Sequence, residues 1–259
     1  MSDSSAADLQ TVARTLITAR RNRRPAEGAA LERLLAAPED AYAVQDLVAQ
    51  QAGWYAGPVA RYWKSGGPAR TAALTHAPLP EDGVWPSPGD ARGRHYNLRL
   101  IEAEVALRLG QEVTAAQAAA LTHEAAATLV EAMAVSIELV DSRWQEGPKA
   151  AALLKLADLQ SHGALVLGEW QPFAPRDWSQ QVCRVQIGSA GPQQFRGTHS
   201  LGDPAWLLPI WLRHATRHGA PVPRGTVVTT GTWCGMLEAQ AGDRVTVDFD
   251  GIGSAALQL

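Results

Sequence analysis

Two glutamates separated by a single residue, Glu102 and Glu104, are the clearest indication of chemistry in this chain. They lie in an apolar run that includes Ile101 and Ala103. In a β-strand, side chains alternate between faces, so both carboxylates would lie on one face and the apolar side chains on the other. Two carboxylates ~5 Å apart repel by roughly 3 kcal/mol at an effective dielectric of about 20. A cation, a proton or open water must relieve that repulsion.

A third acid, Glu138, lies in another strand-like run over residues 136–141. Three carboxylates without a credible thiolate partner favour a hard, oxygen-preferring ion such as Mg²⁺ or Mn²⁺ over zinc. Spacing alone also leaves a second interpretation open, in which Glu102 and Glu104 lie on a solvated sheet face. The carboxylates therefore define a candidate metal site that needs support from the rest of the chain.

The elements that must position these acids change in character near residue 58. Before that point, apolar residues recur at helical spacing and predict three helices, over residues 9–24, 31–35 and 40–52. After it, short strand-like runs separated by Gly and Pro predict a β-rich core. Strands are expected at 99–108, 134–141, 164–172, 181–187, 226–234 and 244–249, and helices at 115–131, 148–160 and 204–218.

The predicted organisation is a helical N-terminal subdomain over residues 1–58 and a β-rich core over residues 59–259. Predicted strands do not alternate regularly with predicted helices, as they would in a doubly wound parallel sheet. A mixed α+β fold is therefore expected.

The bulk composition excludes several classes of protein. The chain has 259 residues, 46% hydrophobic content, 19% charged content and a net charge of −3, as expected of a soluble globular protein. The near-neutral charge argues against non-specific nucleic-acid binding, which needs a basic surface. No apolar run approaches ~18 residues, so no membrane span is expected, and the polar start lacks the apolar core of a signal peptide. Only two cysteines, far apart in sequence, favour free thiols and a cytoplasmic location.

Two motifs imitate other kinds of site. The run 251–256 resembles half of a dinucleotide-binding fingerprint, but no room for the necessary helix follows it, so a turn between two terminal strands is expected. His214 and His218 have the i, i+4 spacing of metal ligands, but no glutamate follows His214 as in a metalloprotease helix. Both histidines are expected at an exposed helix end, where a protonated imidazole is favoured.

Several segments, taken in order, carry a more specific pattern. They are YWKSGGP at 62–68, IEAEVA at 101–106, IELVDSR at 137–143, ADLQSHG at 157–163, LVLG at 165–168, TTGTWCGM at 229–236 and GDRVTV at 242–247. This order resembles the fumarylacetoacetate hydrolase superfamily, and within it the 2-keto-4-pentenoate hydratase branch. The resemblance covers roughly residues 40–259.

The resemblance implies a β-rich roll with flanking helices and one Mg²⁺ or Mn²⁺ held on three acidic side chains. By motif position these ligands are Glu102, Glu104 and Glu138. The strand lysine that precedes the metal pair in the family corresponds to Lys64, whose pKa burial and a nearby cation would lower. The candidate substrate contacts are Ser161, Thr230 and Gly231, with ordinary turns as the alternative interpretation.

The implied activity is hydration of a 2-hydroxy-2,4-dienoate, a small-molecule 2-oxo acid precursor, during aromatic-compound catabolism by a homo-oligomeric enzyme. One departure affects that prediction. The hydratases typically carry an aspartate soon after the lysine, whereas residues 71–80 contain His76 and no acid. A 4-oxalocrotonate-type decarboxylase, an acylpyruvate C–C hydrolase and a non-catalytic member of the family therefore stay open as alternatives.

Overall fold

A computed structural model describes residues 4–55 and 57–259 of the chain. Its α-helices are α1 (Ala6–Asn22), α2 (Pro38–Ala52), α3 (Ala115–Ala120), α4 (His123–Ala126), α5 (Ala152–Ala157) and α6 (Leu208–Ala215). Its strands are β1 (Tyr62–Gly66), β2 (Thr75–Leu79), β3 (Val84–Pro86), β4 (Gly89–Asp90), β5 (Leu100–Leu109), β6 (Val130–Val140), β7 (His162–Leu167), β8 (Gln171–Pro172), β9 (Val182–Ile187), β10 (Gln193–Arg196), β11 (Val227–Thr229), β12 (Leu237–Glu238), β13 (Arg244–Phe249) and β14 (Gly253–Gln258).

The strands form two sheets. The larger one has the order β2-β1-β11-β5-β6-β7-β3, with β12 also paired to β5 and β8 to β6. The smaller one has the order β10-β9-β13-β14-β4. In the larger sheet β5 and β6 are long antiparallel neighbours at the centre, and β1 runs parallel to β11 beside them. This order places β6 on one side of β5 and β11, from much later in the chain, on the other, with β1 beside β11. Segments far apart in the sequence therefore surround the strand that carries the paired glutamates.

The N-terminal helices form as their local sequence predicts. Ser5 and Asp8 form a capping box at the start of α1. Pro38 occupies the first turn of α2, and Gly53 ends that helix with a φ of 65°, a conformation that glycine adopts without strain. The apolar faces of α1 and α2 pack in one buried cluster with Trp144 and α5. The helical segment therefore shares its core with residues from beyond position 58, and the domain boundary stays a prediction.

The predicted mixed α+β architecture is confirmed, and several predicted elements are shorter than expected. The helix expected at 115–131 is divided because Thr114 and Thr122 each cap a separate short helix, and β6 begins at Val130. The strand expected at 226–234 ends at Thr229, because the chain turns at Gly231 with a φ of 104°. The helix expected at 148–160 is α5, with short 3₁₀ turns at Gly147–Lys149 and Leu159–Ser161 on either side.

The predictions for the two motifs that resemble other kinds of site, residues 251–256 and the pair His214 and His218, differ in how well they agree with the structure. Residues 251–256 form the turn between β13 and β14 and the start of β14, as predicted. The prediction of an exposed, protonatable His214 is wrong. Its ring lies 4.2 Å from that of Tyr42 and 4.8 Å from that of His76, and burial lowers the pKa of His214 to about 2. His218 is exposed as expected and lies 3.2 Å from Asp46.

Among the described residues, no helix is both long enough and apolar enough to cross a membrane.

Candidate active site

The three glutamates predicted from the sequence converge at one point on the large sheet. Glu102 of β5 lies directly opposite Glu138 of β6, and Glu104 lies two residues farther along the same face of β5. One carboxylate oxygen from each residue lies within 4.8 Å of the other two. Glu104 and Glu138 are buried, and Glu102 is half-buried. The alternative of a solvated sheet face is therefore wrong for Glu104, which is buried, whereas Glu102 keeps partial contact with solvent.

Glu104 is held in place by groups from β11 and the turn that follows it. The Thr229 hydroxyl donates a hydrogen bond to Glu104 Oε2, and the backbone N–H of Gly231 donates to the same oxygen at 3.0 Å. The Thr229 hydroxyl also lies 3.0 Å from that of Ser136 on β6. Thr229 and Gly231 thus fix one glutamate oxygen in the cluster.

Lys64 reaches the glutamates because β1 pairs in parallel with β11, with Lys64 opposite Thr229. Its Nζ donates to Glu138 Oε1 at 2.5 Å and to the backbone carbonyl of Gln160 at 3.2 Å. His162 Nδ1 lies 3.1 Å from the same Glu138 oxygen. Glu138 Oε2 is buried and has no hydrogen-bond partner among the described residues. That oxygen is free to bind a ligand.

The burial of these groups shifts their pKa values in opposite directions. Burial, together with repulsion from the neighbouring glutamates, raises the pKa of Glu102 to about 8 and that of Glu104 to about 7. Burial also opposes ionisation of Glu138, but Lys64 and His162 outweigh it and hold the pKa of Glu138 below its usual range. For Lys64, burial is outweighed by the three glutamates, which raise its pKa. The predicted lowering of the Lys64 pKa depends on a nearby cation as well as on burial, so it stays a prediction for the metal-bound site.

A backbone turn of unusual conformation closes one side of the site. Leu159, Gln160 and Ser161 have φ values of 52°, 53° and 60°, a left-handed conformation that costs non-glycine residues on the order of 1–3 kcal/mol each. The buried Arg143 holds the turn at both ends. Its guanidinium donates to the carbonyl of Asp158 at 3.0 Å and to the carbonyl of His162 at 2.7 Å.

Arg143 makes its main ion pair with Asp158. Its Nε lies 2.5 Å from Asp158 Oδ1, whereas the distance from its guanidinium to Asp141 Oδ2 is 3.7 Å. Sequence reasoning did not single out Asp158, Gln160 or His162. The signal that could have found them was their position within the family-like segment 157–163, which runs into the first two residues of β7.

Two adjoining cavities lie over the cluster. The first, of about 310 Å³, is lined by Lys64, Glu102, Glu104, Thr229 and Gly231, and we call it the reaction cavity. The second, of about 650 Å³, we call the tail cavity; Ser161 lies on its wall. Thr75, Glu102 and Gln160 line both, so the two cavities adjoin at these residues.

Two other residues considered from the sequence lie outside these cavities. Thr230 turns its hydroxyl towards the backbone carbonyl of Val105, at 2.7 Å, and lines neither cavity. His76 is buried and its Nδ1 lies 2.8 Å from the Ser65 hydroxyl. Burial lowers the pKa of His76 to about 3, so its ring is neutral near pH 7. Neither side chain is placed to replace the aspartate that the hydratases carry after the lysine.

The donor set fits a divalent metal. Three carboxylate oxygens converge, Glu138 Oε2 has no hydrogen-bond partner among the described residues, and the Lys64 ammonium group faces the three carboxylates. Hard cations such as Mg²⁺ prefer ligands of this kind. The pKa values of Glu102 and Glu104 are raised partly because three carboxylates lie close together, and a bound cation would offset this negative charge.

The profile of the fumarylacetoacetate (FAA) hydrolase C-terminal family matches residues 86–259. The chain belongs to this family. Several hydratases are similar in sequence to this FAA hydrolase family member. One of them, 2-keto-4-pentenoate hydratase 1 of Dechloromonas aromatica, is 33% identical over 159 residues. The match covers 60% of this chain and 58% of that relative. The 2-hydroxyhexa-2,4-dienoate hydratase of Comamonas testosteroni is 28% identical over 160 residues, 61% of this chain and 58% of the relative.

The similarity in fold extends over nearly the whole chain. The structure of 4-oxalocrotonate decarboxylase from Pseudomonas putida G7, complexed with magnesium and adipate, aligns with a TM-score of 0.79 at 17% identity and covers 98% of each chain. By contrast, the sequence matches to the hydratases span 58% of those proteins' length. The FAA hydrolase fold is therefore shown for this chain, including its helical N-terminal part.

Proposed function

We propose that this protein is a divalent-metal-dependent hydro-lyase that adds water to a 2-hydroxy-2,4-dienoate. The observation that carries the proposal is the convergence of three glutamate oxygens within 4.8 Å at the end of a cleft, with Lys64 bound to one of them. The names of the similar hydratases support the choice of reaction. We further propose a homo-oligomeric cytoplasmic enzyme of aromatic-compound catabolism, as the resemblance implies.

Glu102, Glu104 and Glu138 would hold the metal, either Mg²⁺ or Mn²⁺. When bound, the metal would act as a Lewis acid towards the carboxylate and keto oxygens of a 2-oxo acid, where negative charge develops during the reaction. The Thr229 hydroxyl and the Gly231 N–H both donate to Glu104. Their proposed role is therefore to position a metal ligand, which replaces the expectation that Gly231 contacts substrate directly.

Lys64 is the proposed acid of the reaction. Its Nζ donates a hydrogen bond to Glu138 Oε1, and in the metal-free protein the three glutamates raise its pKa and so favour the protonated form. An ammonium group at the wall of the reaction cavity can donate a hydrogen bond or a proton to a substrate oxygen as charge develops there. The backbone carbonyl of Gln160 accepts a hydrogen bond from this ammonium group and so orients it.

Ser161 is the proposed direct contact to substrate among the residues of the left-handed turn. It lies on the cavity wall, and its backbone is fixed because the Asp141 N–H donates to its carbonyl at 2.8 Å. Fixing the backbone also fixes the direction in which its hydroxyl can reach the cavity. Orientation of this kind lowers the entropy lost when the reacting groups meet.

The test is a spectrophotometric assay with 2-hydroxypenta-2,4-dienoate and Mg²⁺. We expect the ultraviolet absorbance of the dienol to fall, and to stop falling when a chelator is added. Lys64→Met should lower kcat by about 10²-fold or more, the usual contribution of a general acid, while Mn²⁺ binding is retained. Absence of any metal-dependent absorbance change would remove the hydratase proposal.

A second candidate is decarboxylation of a vinylogous 2-oxo diacid. The alignment with 4-oxalocrotonate decarboxylase over 98% of both chains favours it, although at 17% identity that alignment shows the fold alone. Release of carbon dioxide from 4-oxalocrotonate would distinguish this reaction from hydration. The acylpyruvate hydrolase and the non-catalytic alternative are tested by the same assays, since the first would cleave a C–C bond and the second would show no turnover.

A further inference from the structure

The tail cavity differs in character from the reaction cavity beside it. Val140 and Leu156 are buried on its inner side, Leu98 and Leu153 are half-buried on its walls, and Met236 is 52% exposed at its opening. At about 650 Å³ it lies within the range that proteins use for ligands larger than a five-carbon acid. A buried apolar surface of this kind favours an apolar ligand.

Charge is scarce in the tail cavity. Among the described residues that line it, Glu102 and Lys155 are the charged ones, and Glu102 is shared with the reaction cavity. Lys155 Nζ donates to the carbonyl of the exposed Pro148 at 3.0 Å, which places this ammonium group at the rim of the cavity rather than at its inner side. A second carboxylate on a ligand would lose water in this cavity without a free cation at its inner side to compensate it.

We infer that the tail cavity binds the distal part of the substrate, and that this part is an alkyl or aryl group of several carbons rather than a carboxylate. The inference rests on the proposed function, which places the 2-oxo acid end of the molecule at the glutamates. Because Glu102, Thr75 and Gln160 line both cavities, a molecule that extends past these side chains would reach from the glutamates into the tail cavity. The substrate class is then 2-hydroxy-2,4-dienoates and 2-oxo acids with an apolar substituent at the far end.

The test compares three unreactive probes by calorimetry in the presence of Mg²⁺: pyruvate, 2-oxooctanoate and the diacid 2-oxooctanedioate. Each buried methylene group strengthens binding, so 2-oxooctanoate should bind at least about tenfold more tightly than pyruvate. The diacid has the same chain length and should bind about tenfold more weakly than 2-oxooctanoate, because its second carboxylate is buried without a free partner.

Two variants locate the effect. Leu153→Arg places a cation on the cavity wall and should reverse the preference, weakening 2-oxooctanoate and strengthening the diacid. Met236→Arg should shift the preference in the same direction, and Met236 is exposed enough that folding is not at risk. Pyruvate affinity should be unchanged in both. Leu121→Arg is the matched control, since Leu121 is a half-buried leucine packed on the core away from the cavity.

The outcomes separate this inference from the proposed function. Equal binding of all three probes, with pyruvate still bound in a metal-dependent way, would overturn the apolar tail site and leave the proposed function standing. Tighter binding of the diacid would also overturn it and point to Lys155 as the second anchor. If no 2-oxo acid binds in the presence of Mg²⁺, the proposed function fails and the tail site falls with it.

Discussion

Two groups of buried charges lie next to each other in this protein, and they are balanced differently. The glutamate cluster consists of Glu102, Glu104, Glu138 and Lys64, so three carboxylates face one ammonium group. The arginine cluster consists of Asp141, Asp158, Arg143 and Arg20, so carboxylates and guanidinium groups are equal in number. Strand β6 leads from one cluster to the other.

Asp158, at the centre of the arginine cluster, is satisfied by groups of the protein itself. Asp158 accepts from Arg143 Nε at 2.5 Å, from Arg20 at 3.2 Å and from the Arg143 backbone N–H at 2.8 Å. Asp141 accepts from the Leu98 N–H at 2.8 Å. Arg20 Nε has no hydrogen-bond partner among the described residues, and burial raises the pKa of Asp141, but the charges of this cluster balance. In the glutamate cluster the unpartnered atom is an acidic oxygen, Glu138 Oε2, and the pKa values of Glu102 and Glu104 are raised to about 8 and about 7. The balanced cluster holds geometry, and the unbalanced one is suited to a cation from outside.

The largest expected effect is on the arginine cluster. Arg143→Met should lower the free energy of unfolding by about 3–5 kcal/mol, because it leaves buried carboxylates without their partner. Arg143→Lys should cost less, because it keeps a positive charge beside Asp158. It should still cost some stability, since one ammonium cannot bridge the Asp158 and His162 carbonyls as the guanidinium does. Urea denaturation monitored by tryptophan fluorescence measures both. Equal stability of wild type and Arg143→Met would contradict a structural role for this cluster.

The glutamate cluster should respond in the opposite sense. Glu104→Gln should weaken Mn²⁺ binding by about 10²-fold, because a hard cation loses a charged ligand, yet should not lower the stability of the chelator-treated protein. Calorimetric titration measures the Mn²⁺ affinity, and denaturation in the presence of chelator measures the stability of the metal-free protein. Glu131→Gln is the control: this β6 glutamate pairs with Arg108 and Arg224 away from the cleft and should leave Mn²⁺ affinity unchanged.

A pH dependence should sharpen the comparison further. The folded-state pKa values of Glu102 and Glu104, about 8 and about 7, exceed the ordinary value of 4.5. Their protonation therefore stabilises the folded chelator-treated protein at low pH, and this contribution is lost as pH rises through 7 and 8. We expect a loss on the order of 2 kcal/mol between pH 6.5 and 8.5. Saturating Mg²⁺ should abolish it.

The pH experiment is confined to values above 6.5 because the buried histidines act in the opposite direction at lower pH. The pKa of His76 is lowered from 6.5 to about 3, so its contribution to stability is lost as pH falls below 6.5. Glu104→Gln should reduce the slope above pH 6.5, since one of the two titrating carboxyls is then absent. If stability falls with pH as steeply in Glu104→Gln as in the wild type, groups other than Glu104 are responsible for the titration.

The smallest effect is expected at an exposed ion pair. Arg184 lies on β9 and pairs with Asp250 and with Asp248 at the surface. Arg184→Ala should leave the Tm of the protein unchanged within error, because water and salt already screen these charges. Differential scanning calorimetry of this variant beside Arg143→Met would show that burial, rather than charge pairing alone, sets the size of the loss.

The sequence was sufficient for the parts of the site that depend on strand alternation. Glu102 and Glu104 share a face because they are two residues apart on a strand, and the mixed α+β class followed from the irregular succession of elements. The family-like motifs placed Glu138 and Lys64 in the same site, which the strand order then brings together. These predictions depended on local geometry and on motif order.

Other features could not be predicted because they depend on tertiary contacts. The left-handed turn at Leu159–Ser161 has no glycine and is held by Arg143, so local preference gives no sign of it. The burial of His214 depends on packing against Tyr42 from an N-terminal helix. The direction of the shift in the Lys64 pKa depends on three carboxylates that folding brings close to its ammonium group.

The parallel pairing of β1 with β11 also bears on how the molecule is made. During synthesis the segment that carries Lys64 emerges long before Val227–Thr229, its neighbour in the finished sheet. Until β11 arrives, both β1 and the central β5 have an unpaired edge on that side. Unpaired strand edges invite association with other chains, so the nascent protein should depend on chaperones until translation reaches its last strands.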